Sequence, residues 1–326
     1  MRQTASNDHV SIRVPATTAN LGPGFDCLGM ALSLWNYLRI SWTAQPTVEI
    51  HGEGAAHLRA DDRNLMYRAA LRVIDEVGRQ ALPGDRQHLR IESWQKVPLS
   101  RGLGSSSCAI AGGMYAANAL LGYPLSPHRL LELATAMEGH PDNVAPALMG
   151  GITIAVLDGD SVQAAPVPLP AELQCVVFIP ETPMPTRKAR AVLAPEVSRA
   201  DAVFNVGRTA LLVASLALDR PEYLRLATQD RLHQPARQGV FREMKVLFDN
   251  ALKAGAHGVF LSGAGSSIIA LTRRGENRAF TIGYEMADAA DKSRLPGTFR
   301  VLDPSPTGAE AIDELPPELA ASAEPA

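Results

Sequence analysis

Pro98-Leu99-Ser100-Arg101-Gly102-Leu103-Gly104-Ser105-Ser106-Ser107 brings together two glycines, three consecutive hydroxyls and an apolar helical run that starts at Cys108. The chemistry such a stretch performs is anion binding. Glycines let backbone N–H groups turn toward an oxyanion with no Cβ in the way. A helix behind them supplies unpaired N–H donors and the positive end of its dipole. The serines add donors, and one hydroxyl can reach a metal ion. The loop therefore reads as a phosphate cradle, although no lysine follows the glycines as the common Gly-x-x-x-x-Gly-Lys-Ser/Thr loop requires. For this stretch alone, a Gly/Ser-rich turn that merely opens a helix is the plain alternative.

Further segments carry chemistry-bearing residues. Val14-Pro15-Ala16-Thr17-Thr18-Ala19-Asn20-Leu21-Gly22-Pro23-Gly24-Phe25-Asp26-Cys27-Leu28-Gly29 stands near the beginning, and Leu261-Ser262-Gly263-Ala264-Gly265-Ser266-Ser267 lies far downstream. Between them are His140-Pro141-Asp142-Asn143-Val144-Ala145-Pro146 and His233-Gln234-Pro235 followed by Arg237. Glu138 falls at the C-terminal end of a predicted helix, where a negative charge opposes the dipole, so its placement favours a function over a solvated helix end. Arg190 and Arg237 offer guanidinium forks that match a carboxylate. Composition alone would make both solvent-facing, and Arg187 competes with Arg190.

Five separated motifs in this order resemble the GHMP small-molecule kinases. The wording of the first motif, of His140–Pro146 and of His233–Arg237 resembles the homoserine kinases among them, and the likeness runs from about Val10 to about Asp303. The resemblance implies an α+β, two-domain fold. Residues 10–165 would form an N-terminal domain like the second domain of ribosomal protein S5, carrying the ATP phosphate loop, and residues 166–303 a ferredoxin-like C-terminal domain. The site would lie in the cleft between them. ATP would rest on Pro98, Arg101, Gly102, Leu103, Gly104, Ser105 and Ser106, with Asn64 at the adenine, where an ordinary helix cap is the competing reading. Ser106 and Glu138 match the family positions that hold Mg²⁺, an ion that takes oxygen ligands and few protein groups. Asn20, Asp26, His140, Arg190 and Arg237 match acceptor-binding positions.

Asn143 occupies the catalytic position where mevalonate kinases and galactokinases carry an aspartate base. Asparagine cannot accept a proton at neutral pH and can only orient the hydroxyl or the phosphoryl oxygens. Asp142 reads as structural, because neighbouring side chains diverge. The implied activity is ATP-dependent phosphorylation of the L-homoserine side-chain hydroxyl to O-phospho-L-homoserine, a step toward threonine. A kinase for another small alcohol, or a metabolite-binding regulator of the same fold without turnover, are the rival readings. Ser100, Ser107-Cys108, Ala236 and Ser266 depart from common family residues beside functional positions.

The bulk sequence is compatible with this. The 326 residues suggest one large domain or two intimate ones, and 46% hydrophobic with 20% charged residues is ordinary for a globular enzyme. A net charge of −3 without a long basic run excludes a nucleic-acid footprint. The start shows no apolar signal core, and no apolar run is expected to approach the roughly 20 residues of a membrane span. Three cysteines, Cys27, Cys108 and Cys175, read as reduced packing residues of a cytoplasmic protein. A homodimer is compatible with the sequence, which does not itself report an oligomeric state.

The elements that must position these groups follow from pattern. Strands are expected over residues 10–14, 34–42 and 88–94, and a helix from Asn64 to Gly78 with apolar residues every three to four positions. The cradle helix runs from Ser105 to Leu121, and Ser126-Pro127 caps the helix that delivers Glu138. A strand covers 152–157, and the Gly, Ala, Pro and Asp content of 158–170 marks the domain boundary. In the second half, strands are expected over 175–179, 258–261, 267–271 and 299–302. Helices are expected from Thr186, from Asp201 to Leu218, after Pro221 and over 241–253. The Pro-, Ala- and Glu-rich tail from Pro304 is expected to be disordered.

Overall fold

The computed structural model describes residues 9–78 and 88–320. The first half forms β1 (His9–Ala19), β2 (Leu28–Thr43), β3 (Thr47–Gly52), α1 (Leu65–Val77), β4 (His88–Gln95), α2 (Ser105–Leu120), α3 (Pro127–Glu138), α4 (Pro141–Met149), β5 (Ile152–Asp158) and β6 (Ser161–Val167). The backbone of the first sheet is the antiparallel β1–β2 pair, whose register shifts between Pro15 and Ala16. β2 changes neighbours along its length. Its start pairs with β5 at Leu28↔Ile154, and its end pairs with β4 from Tyr37↔Trp94 to Thr43↔His88. That split opens the sheet where the first glycine motif leaves β1. α1, α2 and α3 cover one face, with Met66, Val73, Ile110, Met114, Leu130 and Leu131 against Val10, Ile12, Leu38, Ile40 and Ile91.

The second half forms β7 (Leu173–Pro180), α5 (Thr186–Ala191), α6 (Arg199–Ala217), α7 (Leu224–Ala227), α8 (Gln234–Gln238), α9 (Met244–Lys253), β8 (Gly258–Leu261), β9 (Ile268–Arg273), α10 (Ala279–Lys292) and β10 (Gly297–Leu302). Four strands pair antiparallel in the order β10-β7-β9-β8. Residues alternate across this sheet, as strand geometry requires. Val176, Phe178, Ile268 and Ala270 meet α9 and α10 through Leu247, Ile282 and Met286. Cys175, Val177, Ile269 and Leu271 face the other way, into a core shared with Val14, Met30, Leu32 and with Leu212 and Leu216 of α6. The two sheets are thus joined by one continuous apolar core, which fixes the cleft above it.

Several expectations are corrected. The boundary stretch 158–170 is largely a hairpin, with β6 paired to β5 from Asp158↔Ser161 to Ile152↔Val167 around Gly159-Asp160. Gly and Asp are linker residues, but they are equally the residues of a two-residue hairpin turn. Ala279–Lys292, unassigned from pattern, is a helix that buries Ile282, Met286 and Ala290. α6 is, by length and composition alone, apolar enough to cross a bilayer, with a mean hydropathy of 1.2. Its Leu212 and Leu216 are instead buried in the shared core.

The tail from Pro304 is the largest correction. β11 (Glu310–Ile312) pairs with the edge of β1 at Ser11↔Ile312 and Arg13↔Glu310, and α11 (Pro317–Ala320) follows. Arg13 Nε donates to Glu310 Oε1 at 2.6 Å, and Leu315 and Leu319 pack on Trp94. Average composition hides this, because three strand residues and two leucines are enough to dock on an open edge. Residues 321–326 of the expected tail lie outside the described residues. Leu315→Ala should lower the free energy of unfolding by about 2–3 kcal/mol, the cost of emptying a buried leucine site. Urea denaturation measures it, and an unchanged midpoint would detach the tail from the folded unit.

Candidate active site

A cleft of about 430 Å³ opens between the two sheets, lined by residues of all five motifs. Its floor is a knot of the three glycine segments. Thr17 N–H donates to the Leu103 carbonyl at 3.2 Å, Gly263 N–H to Ala19 at 3.1 Å and Ser267 N–H to Arg101 at 3.0 Å. The Ser262 hydroxyl is bonded to the Gly102 carbonyl at 2.6 Å and to the Thr18 hydroxyl at 2.8 Å. Gly102 and Gly104 are required here. Both have left-handed φ, 73° and 69°. A Cβ on Gly102 would sit 2.1 Å from the Ser262 carbonyl oxygen, and one on Gly104 1.9 Å from Thr17 Oγ1.

Gly104 is the N-cap of α2, and no acidic residue lies in that helix's first turn. The N–H groups of the Ser105–Ser107 turn and the positive end of the dipole therefore face the cleft without a side-chain carboxylate of their own helix. The carboxylate arrives from another helix. Glu138, the last residue of α3, accepts from Ser106 Oγ at 2.6 Å and from Ser107 Oγ at 3.0 Å. Its charge is unfavourable at the end of α3 but favourable against the start of α2. Ser106 and Glu138 so form a pair of oxygen donors beside the cradle, which fits a small hard cation that keeps most of its water.

The other end of the cleft gathers charges. Asp26 accepts from Arg190 Nη2 at 2.6 Å and Nη1 at 3.0 Å. This hydrogen bond raises the Arg190 pKa, against the lowering effect of burial. His140 Nδ1 lies 2.5 Å from Asp142 Oδ1. The ligand atoms of Asp26, His140 and Asp142 lie within 4.8 Å of one another. Arg237, only 1% exposed, donates through Nη1 to the Gly263 carbonyl at 2.8 Å and to His233 Nδ1 at 2.9 Å, and through Nε to the Ala189 carbonyl at 3.3 Å. Burial, with the neighbouring Arg190 cation, lowers its pKa to about 10, so it stays charged at neutral pH. Asn143 Oδ1 accepts from Thr17 Oγ1 at 2.8 Å, which turns its amide nitrogen away from Thr17, 3.5 Å from Asp142 Oδ1.

Most residues expected at the site line this cleft, but not all in the expected way. Leu103 turns its side chain into the shared core, and Pro98 does not line the cleft. Arg101 lines it, yet donates to the carbonyls of Leu99, Pro180 and Glu181, bracing the loop against β7 rather than reaching outward. Asn64 realises the cap reading: Oδ1 accepts from Met66 N–H at 2.9 Å and Nδ2 donates to Arg59 at 2.7 Å. Asn20 clamps the knot, donating to the Gly263 carbonyl at 2.9 Å and accepting from Asp26 N–H at 3.0 Å.

Four further residues belong to the site. Asp142, read as structural, lines the cleft and pairs with His140; the relevant spacing was i, i+2 across the start of α4, not adjacency to Asn143. Ser107 is the second donor to Glu138, Thr17 holds Asn143, and His233 holds Arg237. All four lay inside quoted motifs, which was the available signal. Asp230 supports the last of these. Its carboxylate accepts from the N–H groups of Leu232, His233 and Gln234 at 2.7–2.9 Å and from Asn205 Nδ2 at 2.7 Å, fixing the start of α8.

Comparison with known proteins identifies the family. Residues 64–151 match the GHMP kinases N-terminal domain and residues 212–287 the GHMP kinases C-terminal domain. The chain is 42% identical over 301 residues to a homoserine kinase of Moorella thermoacetica, covering 92% of this chain and 99% of that one. It is 43% identical over 268 residues to a homoserine kinase of Carboxydothermus hydrogenoformans, covering 82% and 86%. A crystal structure of homoserine kinase from Cytophaga hutchinsonii superposes with a TM-score of 0.85 at 30% identity, covering 96% of this chain and 100% of that one.

The His140–Asp142 pair generates a pH prediction. Burial pulls the imidazole pKa down, but the hydrogen bond to Asp142 and the charges of Asp142 and Glu138 outweigh it, and the net shift is upward. A raised folded-state value stabilises fully below the unfolded value of about 6.5 and is lost as pH rises through the folded value. The parent should therefore exceed His140→Asn in stability most at about pH 6, with the gap closing toward alkaline pH. Urea unfolding across that range checks it, and a gap that widens with pH contradicts the pairing.

Proposed function

This chain belongs to the homoserine kinases of the GHMP kinase family, and from that premise we propose how its cleft divides the work of moving a phosphoryl group from ATP to the side-chain hydroxyl of L-homoserine. One observation carries the reading: an anion cradle with an oxygen-donor pair, and a set of charges complementary to a zwitterion, share one cleft. The triphosphate rests on the α2 N-terminus, against the backbone of Gly102 to Ser106. Ser106 Oγ and the Glu138 carboxylate would hold Mg²⁺, which when bound neutralises phosphate charge.

The acceptor meets Asp26 and Arg190 paired with each other and Arg237 held by neutral acceptors. Its ammonium takes the place of Arg190 on Asp26, and its carboxylate takes up Arg190 and Arg237, so zwitterion binding exchanges ion pairs without leaving a buried charge alone. A substrate with only one of the two groups would strand a charge. Asn143, held through Oδ1 by Thr17, offers its amide N–H to the acceptor hydroxyl or the phosphoryl oxygens. Asn143 cannot take the hydroxyl proton, and His140 Nδ1 is committed to Asp142 Oδ1 at 2.5 Å. Catalysis then rests on alignment and charge stabilisation, and the hydroxyl proton leaves late to a phosphoryl oxygen, as a loose transition state permits. The unpaired thiols of Cys27, Cys108 and Cys175 support a reducing, cytoplasmic setting.

Ser106→Ala and Glu138→Gln should each lower turnover strongly and raise the Mg²⁺ requirement. Titration of Mg²⁺ at saturating ATP measures this, and an unchanged dependence in both variants removes the metal assignment. Arg190→Ala and Arg237→Ala should raise the homoserine KM while leaving the ATP KM nearly alone; breaking such a charge contact costs about 2–5 kcal/mol. In a coupled assay of ADP release, 3-aminopropan-1-ol, which lacks the carboxylate, should be a poor acceptor for the parent. Turnover equal to that of homoserine would mean that the substrate class is wrong.

A further inference from the structure

Between the first motif and Arg237 stands an imidazole that the reaction scheme above does not use. His233 is fully buried, with Nε2 2.7 Å from the Gly22 carbonyl oxygen and Nδ1 2.9 Å from Arg237 Nη1. Its ring stacks on Phe25, with centroids 5.3 Å apart. A carbonyl can only accept, so Nε2 carries a proton. An arginine can only donate, so Nδ1 carries a lone pair. One state satisfies both neighbours, the neutral ring protonated at Nε2. We infer that His233 is a positioning residue for the acceptor carboxylate, its neutral ring holding the Arg237 guanidinium in the plane that receives that group. This rests on the proposed role of Arg237.

The surroundings are built for that state. Arg237 follows His233 by one helical turn on α8, so the contact is a local i, i+4 pair. With Nη1 held by His233 and Gly263, and Nε by Ala189, the guanidinium cannot rotate. Its Nη2 end is what remains for an anion in the cleft that Arg237 lines. The ionisable groups facing His233 are Asp230, 3.6 Å from Nε2, Asp26 and Arg237. Asp230 is occupied by three backbone N–H groups and Asn205, so it anchors the helix start rather than charging the ring. Burial holds the His233 pKa below its ordinary value, and Arg237 pushes the same way, against the two aspartates and the Gly22 carbonyl. Protonation would place an N–H against the guanidinium, deleting the acceptor and adding a second buried cation. Carboxylate binding would fall, while the phosphoryl end, at α2, is untouched.

The tautomer is tested by long-range ¹H–¹⁵N NMR of the imidazole rings in the intact protein, with the His233 ring signals assigned by through-bond correlation to the His233 backbone. A neutral ring protonated at Nε2 around neutral pH is expected; an imidazolium, or a ring protonated at Nδ1, overturns the inference. Kinetics test the role. His233→Asn keeps an amide oxygen at the Nδ1 position that can accept from Arg237. His233→Gln keeps the donor toward Gly22 but removes that acceptor. The homoserine KM should rise about tenfold or more in His233→Gln and clearly less in His233→Asn, with kcat and the ATP KM within about twofold of the parent. Equal rises in both variants, or a parallel rise in the ATP KM, would mean a merely structural residue.

If neither variant folds, the parent decides. Its homoserine KM must rise on the acid side with the same midpoint as the His233 NMR titration, and a KM indifferent to that protonation refutes the role. Arg237→Ala separates the two levels. If it leaves the homoserine KM unchanged, the reading of the acceptor site fails. If it raises KM and His233→Gln does not, only the present inference fails.

Discussion

Three loops separated by most of the chain touch backbone to backbone, and the cleft exists only because they do. The contacts of Thr17 with Leu103, Ala19 with Gly263 and Arg101 with Ser267 leave no room for side chains between them. A single Cβ at Gly102 or Gly104 would collide with the opposing carbonyl or hydroxyl. The knot sets the direction in which α2 points, which decides where an anion can bind. It also brings the second sheet against the first, so the acceptor groups on α5 and α8 are registered to the cradle by the same bonds. Few kinds of loop tolerate such proximity, and this explains why glycine and small hydroxyl residues crowd all three segments.

Around that knot, charge is placed by helix ends and by neutral partners. Glu138 opposes the dipole of its own helix and is compensated by the start of α2 and two serine hydroxyls. Asp26 and Arg190 satisfy each other. Arg237 is the exception, since the hydrogen bonds that hold it run to two carbonyls and an uncharged imidazole. Its pKa of about 10 reflects that environment. A buried cation surrounded by neutral acceptors is costly in the empty protein and correspondingly receptive to an anion.

Much of this was legible in the residues. Glycine-rich motifs announced the loops, and Ser126-Pro127 announced the helix that delivers Glu138. What escaped reading was what depends on partners. Leu103 sits between two functional glycines, yet its side chain belongs to the core, because alternate residues of a tight loop face opposite ways. Arg101 lines the cleft with Asn64, yet it also braces the loop through backbone carbonyls far away in sequence, which no motif shows. Asp142 read as structural beside Asn143, and α4 turns it back onto His140. β11 was invisible because a strand of three residues has no period to detect.

That last strand makes the first domain discontinuous in sequence. The edge of β1 has its partner far downstream at Glu310–Ile312, and Trp94 is covered by Leu315 and Leu319. During synthesis the second sheet is complete before the first can be closed. A nascent chain therefore carries an uncovered strand edge along β1 until Glu310–Ile312 emerges. Closure of the first sheet thus waits on the second, so a product interrupted between β10 and β11 differs from a longer one in surface as well as in length.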